Sequence, residues 1–189
     1  MRSHLTTSEL QHQACFALAN LALHADNRVK IETLGGIECI ATAMRSHPTN
    51  SELQYSACEA LWNLALFDDN KVKFEAAGGI ECIATAMRSH PTNSELQHQV
   101  CFALANLARH ADSRVKIEAA EGIECIATAM RTNPTYSELQ HQACEDLANL
   151  ALFDDNLVKI ESAGGIQCIA TAMRSHPTNS EPQHQACFV

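Results

Sequence analysis

Apolar and polar positions recur along this chain with a period of 43 residues. Each complete copy holds one long segment of apolar periodicity, a polar break and two shorter segments. In the first long segment the apolar residues follow the i, i+4, i+7, i+8 spacing of one helix face. They are Leu10, Ala14, Ala17, Leu18, Leu21 and Ala22. Periods of about 40–47 residues are typical of helical repeats that stack because one unit cannot bury its own apolar face. The pattern therefore predicts a helical solenoid.

The second copy, residues 49–91, illustrates the long helix. Ser51 followed three residues later by Gln54 is typical of a capping box at a helix start. The 3.6-residue periodicity then continues to about Leu66. The other complete copies repeat the pair as Ser8/Gln11, Ser94/Gln97 and Ser137/Gln140. We therefore predict one helix of about four turns in every copy.

Two shorter helices are predicted to follow the long one. Asp69 or Asn70 is expected to cap a helix over residues 71–77. This helix stops at the glycine pair that begins at Gly78, because glycine readily adopts the left-handed conformation that ends helices. A third helix covers residues 80–89 and is closed by a proline. The sequence thus predicts three helices per repeat.

Two segments carry a family resemblance. They are residues 95–108, Glu-Leu-Gln-His-Gln-Val-Cys-Phe-Ala-Leu-Ala-Asn-Leu-Ala, and the junction Ala77-Gly78-Gly79-Ile80. These segments recur in the complete copies and resemble the armadillo repeat. The resemblance implies an all-α, right-handed superhelix in which the long helix is helix 3 and lines the concave surface. HEAT repeats are the close alternative, but they have two helices and usually lack the glycine junction.

The resemblance also implies repeat boundaries. Residues 1–5 form the end of a preceding repeat, followed by repeats at 6–48, 49–91, 92–134 and 135–177, and a partial repeat at 178–189. Neither end resembles the polar capping repeat that keeps solenoids soluble. Two interpretations remain open. The chain is a fragment of a longer array, or its uncapped ends pair copies into a dimer or a head-to-tail assembly.

One stripe of the long helix is predicted to face a binding groove. At about 100° per residue the stripe lies opposite the core residues, and it contains aromatic side chains where an amphipathic helix would carry charge. Apolar residues on the polar side suggest a partner. The predicted groove residues are Phe16, Glu59, Phe102, Glu145, Trp62, His12, Tyr55, His98 and His141, together with Asn20, Asn63, Asn106 and Asn149.

The four asparagines form a ladder with two possible functions. The armadillo resemblance implies that they clamp the main chain of an extended ligand, because a carboxamide offers both a donor and an acceptor. Alternatively, they bond the neighbouring helix and only fix the stacking. With helices about 8–10 Å apart and about 3.3 Å per extended residue, each repeat would serve about two or three ligand residues.

The residue four positions before each asparagine departs from the peptide-binding family members, which carry tryptophan there. Phe16, Glu59, Phe102 and Glu145 alternate at this position. A groove like that of the nuclear-import receptors is therefore not expected. The alternation reflects either the duplication of a repeat pair or recurring anchors, phenylalanine for an apolar and glutamate for a basic ligand side chain.

Charge and cysteine content narrow the partners and the compartment. The net charge of −9 disfavours nucleic acid and anionic membranes and leaves neutral or basic proteins and peptides. No apolar run reaches the length of a transmembrane helix, and no secretory signal is recognised. The nine cysteines show no Cys-x-x-Cys pair. We therefore expect a reduced, intracellular chain, cytoplasmic or nuclear, that spans no membrane.

Catalysis, cofactors and metal binding are not predicted. His12-x-x-Cys15 and its equivalents look like metal half-sites, but the cysteine points into the apolar arc and the histidine away from it. Phosphate loops and nucleophile motifs are also missing. We predict a non-catalytic scaffold that binds an extended peptide or protein segment along the helix 3 groove. The alternative is a structural or self-associating module without a groove ligand.

Glu121 replaces the glycine that the other copies have at the junction between the two shorter helices. If the backbone is left-handed there, a residue other than glycine costs about 1 kcal/mol. We expect a strained or reshaped junction in the third copy.

Overall fold

The structure is a computed structural model that describes residues 8–65, 68–108 and 111–177, without the side chains of residues 68, 69, 106, 111 and 112. Within these ranges the regular elements are twelve α-helices, with no strand. The predicted all-α class is confirmed. The predicted terminal segments 1–5 and 178–189 lie outside the described residues.

The chain divides into two compact units, Met1–Ser89 and His90–Val189. The helices of the first unit are α1 (Ser8–Leu21), α2 (Ala25–Thr33), α3 (Gly36–Ser46), α4 (Ser51–Ala65), α5 (Asp68–Ala76) and α6 (Gly79–Ser89). Those of the second unit are α7 (Ser94–Ala108), α8 (Ala111–Ala119), α9 (Gly122–Thr132), α10 (Ser137–Ala151), α11 (Asp154–Ser162) and α12 (Gly165–Ser175). The long helices α1, α4, α7 and α10 therefore start at the 43-residue step of the sequence.

The start of α4 differs from the predicted capping box. Asn50, rather than Ser51, caps the helix, because its Oδ1 accepts a hydrogen bond of 3.0 Å from the backbone N–H three residues later. Gln54 turns back toward α3, where its Nε2 donates to the carbonyl oxygens of Met44 and His47, both at 3.0 Å. The capping box is wrong because the glutamine satisfies carbonyl groups at the end of the preceding helix.

The predicted cap at Asp69 or Asn70 is also wrong. Helix α5 begins at Asp68, so both residues lie in its first turn. The buried Asn70 side chain donates from Nδ2 to the carbonyl oxygen of Leu64 at 2.9 Å, and Asn156 makes the same bond in the second unit. These asparagines connect the end of a long helix to the next helix, because the last carbonyl groups of a helix lack intrahelical partners.

The core lies where the long helices pack together. In the first unit α4 packs against α1 and α3, and in the second unit α10 packs against α7 and α9. Helix α4 buries an almost complete set of apolar residues, Leu53, Ala57, Cys58, Leu61 and Leu64. Full burial of one leucine contributes about 1.5–3 kcal/mol.

The predicted apolar face of α1 is largely exposed, which corrects the expectation. Leu10 is 46% exposed and Leu21 is 49% exposed, and Ala22 is the buried member of the predicted set. The equivalent residues of α4, Leu53 and Leu64, are buried, on a helix that packs against the preceding long helix α1 and against α3. Among the described residues, no long helix precedes α1 to cover it in the same way.

The backbone at Glu121 is left-handed, with φ 59°. The glycines at the equivalent positions, Gly35, Gly78 and Gly164, have φ of 74°, 70° and 76°. The left-handed junction is therefore confirmed in the third copy, where a residue with a Cβ atom occupies it.

No helix in the described ranges is long and apolar enough to cross a membrane.

Candidate protein-interaction surface

The predicted groove residues lie on helices that pack together within each unit. In the first unit α1 carries His12, Phe16 and Asn20, and α4 carries Tyr55, Glu59, Trp62 and Asn63. In the second unit α7 carries His98 and Phe102, and α10 carries His141, Glu145 and Asn149. Helix α1 packs against α4, and α7 packs against α10. The side chain of Asn106 lies outside the described residues.

Aromatic side chains of this set reach the surface. Phe16 is 50% exposed, and Phe102 and Tyr55 are each 38% exposed. Trp62 and Glu59 are half-buried. The surface of the long helices therefore combines exposed aromatic rings with glutamate side chains.

The asparagine ladder does not have one environment. Asn63 is buried, and its Nδ2 donates to the carbonyl oxygen of Ala19 on α1 at 3.1 Å. Asn20 is exposed and donates to the carbonyl oxygen of Phe16 in its own helix at 3.0 Å. Asn149 is half-buried. At Asn63 this geometry favours the stacking interpretation, because one amide hydrogen already bonds the neighbouring helix.

The histidines of α1 and α7 contact side chains of the next copy in each unit. In the first unit Nδ1 of His12 lies 3.9 Å from Oε2 of Glu52. In the second unit the His98 ring meets the Tyr136 ring edge-on, with centroids 6.1 Å apart. Burial lowers the pKa of His98 and His141 adds to this effect, although Glu138 opposes it. His98 is therefore neutral at pH 7.

The surface of the long helices is acidic. None of the four helices contains lysine or arginine. Their acidic residues outside the core are Glu9, Glu52, Glu59, Glu95, Glu138 and Glu145. Hydrogen bonds from its own backbone N–H and from the Ser137 hydroxyl lower the pKa of Glu138, which stays ionised. A ligand on this surface meets negative charge.

Cations instead connect the shorter helices of successive copies, a role that the sequence reasoning missed. Nη1 of Arg45 donates to the carbonyl oxygen of Ala77 at 2.9 Å, and Nη1 of Arg131 donates to that of Ala163 at 2.7 Å. Lys73 on α5 forms a salt bridge with Glu32 on α2, and Lys159 on α11 forms one with Glu118 on α8, so both pairs also join successive copies. The signal was present in the sequence, because each donor recurs at the repeat period.

The cysteines behave as core residues. Cys15 is buried, and burial raises the pKa of its thiol to about 12. Cys39 is the exposed exception among the eight described cysteines, which are all free thiols. The described part of the chain contains no group of three or more histidine, cysteine and acidic residues placed to hold a metal ion.

Asp146 is a second residue that the sequence reasoning missed. It is fully buried on α10, at a position where the other complete copies have alanine. A comparison of the copies position by position would have identified it.

These elements define the chain as an all-α repeat protein of helices that recur at a fixed period. Residues 29–189 match the family described as LRRK2 ARM repeat, so the chain belongs to the ARM repeat family. The predicted armadillo resemblance is confirmed. Membership of this family indicates a protein-interaction repeat scaffold.

A similar solved structure is the crystal structure of a protein described as engineered, which is 28% identical in sequence, with a TM-score of 0.62. The match covers 97% of this chain and 90% of that chain. No curated protein matches the chain in sequence.

Proposed function

We propose that this chain is a non-catalytic scaffold that binds an extended peptide or protein segment along the exposed face of its long helices. We also propose that its helices form a right-handed superhelix of three-helix repeats at 6–48, 49–91, 92–134 and 135–177, with that face lining the concave side. Family membership supports the scaffold role, and the surface chemistry supports the choice of face.

The observation that carries the proposal is the exposure of aromatic rings on helices without cations. Phe16 and Phe102 are exposed on α1 and α7, and neither helix contains lysine or arginine. The exposed part of each phenylalanine ring is apolar area on the polar side of a helix, and a ligand can bury it as an anchor.

The same surface defines the chemistry of the partner. Glu59 and Glu145 take the position of the phenylalanines in the alternate copies and are half-buried. A glutamate beside an apolar anchor favours a ligand that alternates apolar and basic side chains. We therefore propose a neutral to basic protein partner, and not nucleic acid, whose phosphates the acidic surface repels.

The asparagine ladder contributes unequally in this proposal. The bond from Asn63 to the carbonyl oxygen of Ala19 supports a stacking role at that position. The exposed Asn20 and the half-buried Asn149 are the better candidates for bonding a ligand main chain.

The free thiols of the described cysteines support a reducing, intracellular location, in the cytoplasm or the nucleus.

A screen of random peptides tests the proposal without a known partner. The wild-type chain and the double variant Phe16→Ser/Phe102→Ser are each screened against one displayed library. We expect the wild type to enrich peptides with a net positive charge and a large apolar residue. Loss of one anchor should weaken binding by about 2 kcal/mol, or about thirtyfold.

A matched control separates the proposed face from general stickiness. Val72 and Val115 are exposed apolar residues on the shorter helices α5 and α8. The variant Val72→Ser/Val115→Ser should retain the wild-type peptide set. Enrichment that is equal in all three proteins, or that favours acidic peptides, would contradict the proposal.

A further inference from the structure

Asp146 is the single buried acidic or basic side chain among the described residues. It lies on α10 and is 0% exposed. Neither carboxyl oxygen has a nitrogen or oxygen hydrogen-bond partner, and the donor that faces them is the weak one of the Cys101 thiol. A buried polar group without a partner is unfavourable, and a buried charge without a partner is much more so.

Among the described residues of α7, α9, α11 and α12, which pack against α10, no positively charged group acts on the carboxyl. The Cys101 thiol on α7 faces it, Cys125 on α9 interacts with that thiol, and Cys144 lies on α10 itself. The charged group that acts on the carboxyl is Glu145, which is also acidic. On α12, Cys168 interacts with Cys144. Burial and Glu145 raise the pKa of Asp146 well above its ordinary value, and only the weak thiol donor of Cys101 opposes the rise.

The other copies show what this position normally holds. Ala60 on α4 and Ala103 on α7 are the equivalents of Asp146, and they are 0% and 1% exposed. In the first unit Ala60 lies on the helix that packs against α1, as Asp146 lies on the helix that packs against α7. The two units therefore present the same helix pair with and without a buried carboxyl.

We propose that Asp146 makes the packing of α10 against α7 sensitive to pH, so that the pair is closed with the neutral carboxyl and loosens as the carboxyl ionises. The pair α1 and α4, with Ala60 at this position, lacks this sensitivity. The second unit thus contains a pH-dependent contact that the first unit does not.

Linkage gives the direction of the effect. When α10 opens, the carboxyl meets water and its pKa returns toward about 3.9, while in the closed pair the pKa is raised. Between these two pKa values the closed pair holds one more proton than the open pair. The opening constant therefore rises about tenfold for each pH unit in this window, and levels off above the raised pKa.

Hydrogen exchange of the full chain tests the proposal. Exchange of the α7 and α10 amides is measured between about pH 5 and pH 8 for the wild type, Asp146→Ala and Asp146→Asn. The ratio of two proteins' rates at one pH cancels the intrinsic pH dependence of exchange. We expect the ratio of wild type to Asp146→Ala to rise with pH, by about tenfold per unit as long as the pH lies below the raised pKa, and then to level off. The Asn variant keeps the shape and polarity, and should follow the Ala variant in pH dependence.

A transplant provides the matched gain-of-function test. Ala60→Asp is expected to give the α1 and α4 amides the same pH-dependent rise, which they lack in the wild type. A wild-type to Asp146→Ala ratio that stays constant with pH overturns the proposal, whether or not Ala60→Asp folds. The proposal is also overturned if the Ala60→Asp protein folds and its α1 and α4 amides exchange at the wild-type rates at every pH.

The contact has a consequence for binding. His98 and Phe102 lie on α7 and Glu145 lies on α10, so opening of this pair alters the predicted binding surface of the second unit. This consequence rests on the proposed function. The exchange measurement contains no ligand, so its result is distinguishable from a failure of peptide binding.

Discussion

Replacing Glu121 by glycine should stabilise the protein. Glu121 has φ 59° and ψ 31°, in the left-handed region. A residue with a Cβ atom loses about 1–2 kcal/mol there relative to the right-handed helix region. Glycine offsets about 0.4–1 kcal/mol of this gain, because it increases the conformational entropy of the unfolded chain. The net gain is about 0.5–1 kcal/mol, or a rise in melting temperature of about 1–4 °C for a chain of this size.

Charge is the confounding effect at this position. Glu121 lies beside Glu118, Glu124 and Lys159 at one surface depression. Removing its carboxylate therefore changes the local electrostatics as well as the backbone. The variant Glu121→Ala removes the carboxylate and keeps the Cβ atom, so the difference between the Gly and Ala variants isolates the backbone effect.

The first copy supplies the reverse experiment. Gly35 has φ 74°, and a Cβ atom built on it meets no other atom within 4 Å. Gly35→Ala therefore introduces the backbone strain without a clash, and should lower the free energy of unfolding by about 0.5–1 kcal/mol. The melting temperature of Gly35→Ala should lie below that of the wild type, whereas that of Glu121→Gly should lie above it.

The assay combines a global and a local measurement. Calorimetry gives the melting temperature, and hydrogen exchange of the α8 and α9 amides reports the junction itself, because repeats can unfold in parts. If Glu121→Gly melts at or below the wild-type temperature and matches Glu121→Ala, the backbone reasoning is refuted.

Two further predictions concern buried side chains. Asn63→Ala should lower the free energy of unfolding by about 1–2 kcal/mol, because it removes a buried bond to the Ala19 carbonyl group. Asn20→Ala, at an exposed position, should change it by less than about 0.5 kcal/mol; equal losses in urea titrations would contradict the stacking role of Asn63. Cys39 should be alkylated rapidly in the native protein and Cys15 slowly, because Cys39 is exposed and burial raises the pKa of the Cys15 thiol to about 12. Peptide mapping by mass spectrometry after a short pulse of reagent checks this, and comparable labelling of both thiols would refute it.

The helices and the family were predictable from sequence because both depend on local, repeated signals. Apolar spacing of 3.6 residues predicted the long helices, and α4 covers Ser51–Ala65, up to the last described residue before the predicted end. The glycine pairs predicted the left-handed backbone at Gly35, Gly78 and Gly164, and the equivalent position Glu121 adopts it without a glycine pair. These features require only residues that are close together along the chain.

The hydrogen-bond partners of the polar side chains were not predictable in the same way. Gln54 and Asn70 were assigned to the starts of their own helices, but both donate to carbonyl groups of the preceding helix. Asn63 was assigned to a groove ligand or to stacking, and only the position of α1 provides its acceptor. Propensity rules describe a residue within its own helix, whereas these partners lie in another helix.

The sequence by itself determined the class of this protein, the positions of its helices and its family, because a 43-residue period repeats the same local signals. Only the tertiary structure decided which copies of an equivalent residue are buried. Leu10 is 46% exposed and Leu53 is 0% exposed, although both occupy the same place in the repeat. Asp146 is likewise a buried carboxyl, which faces the Cys101 thiol of the neighbouring helix α7. Burial depends on what the neighbouring helix presents, and that neighbour lies a full repeat away in the chain.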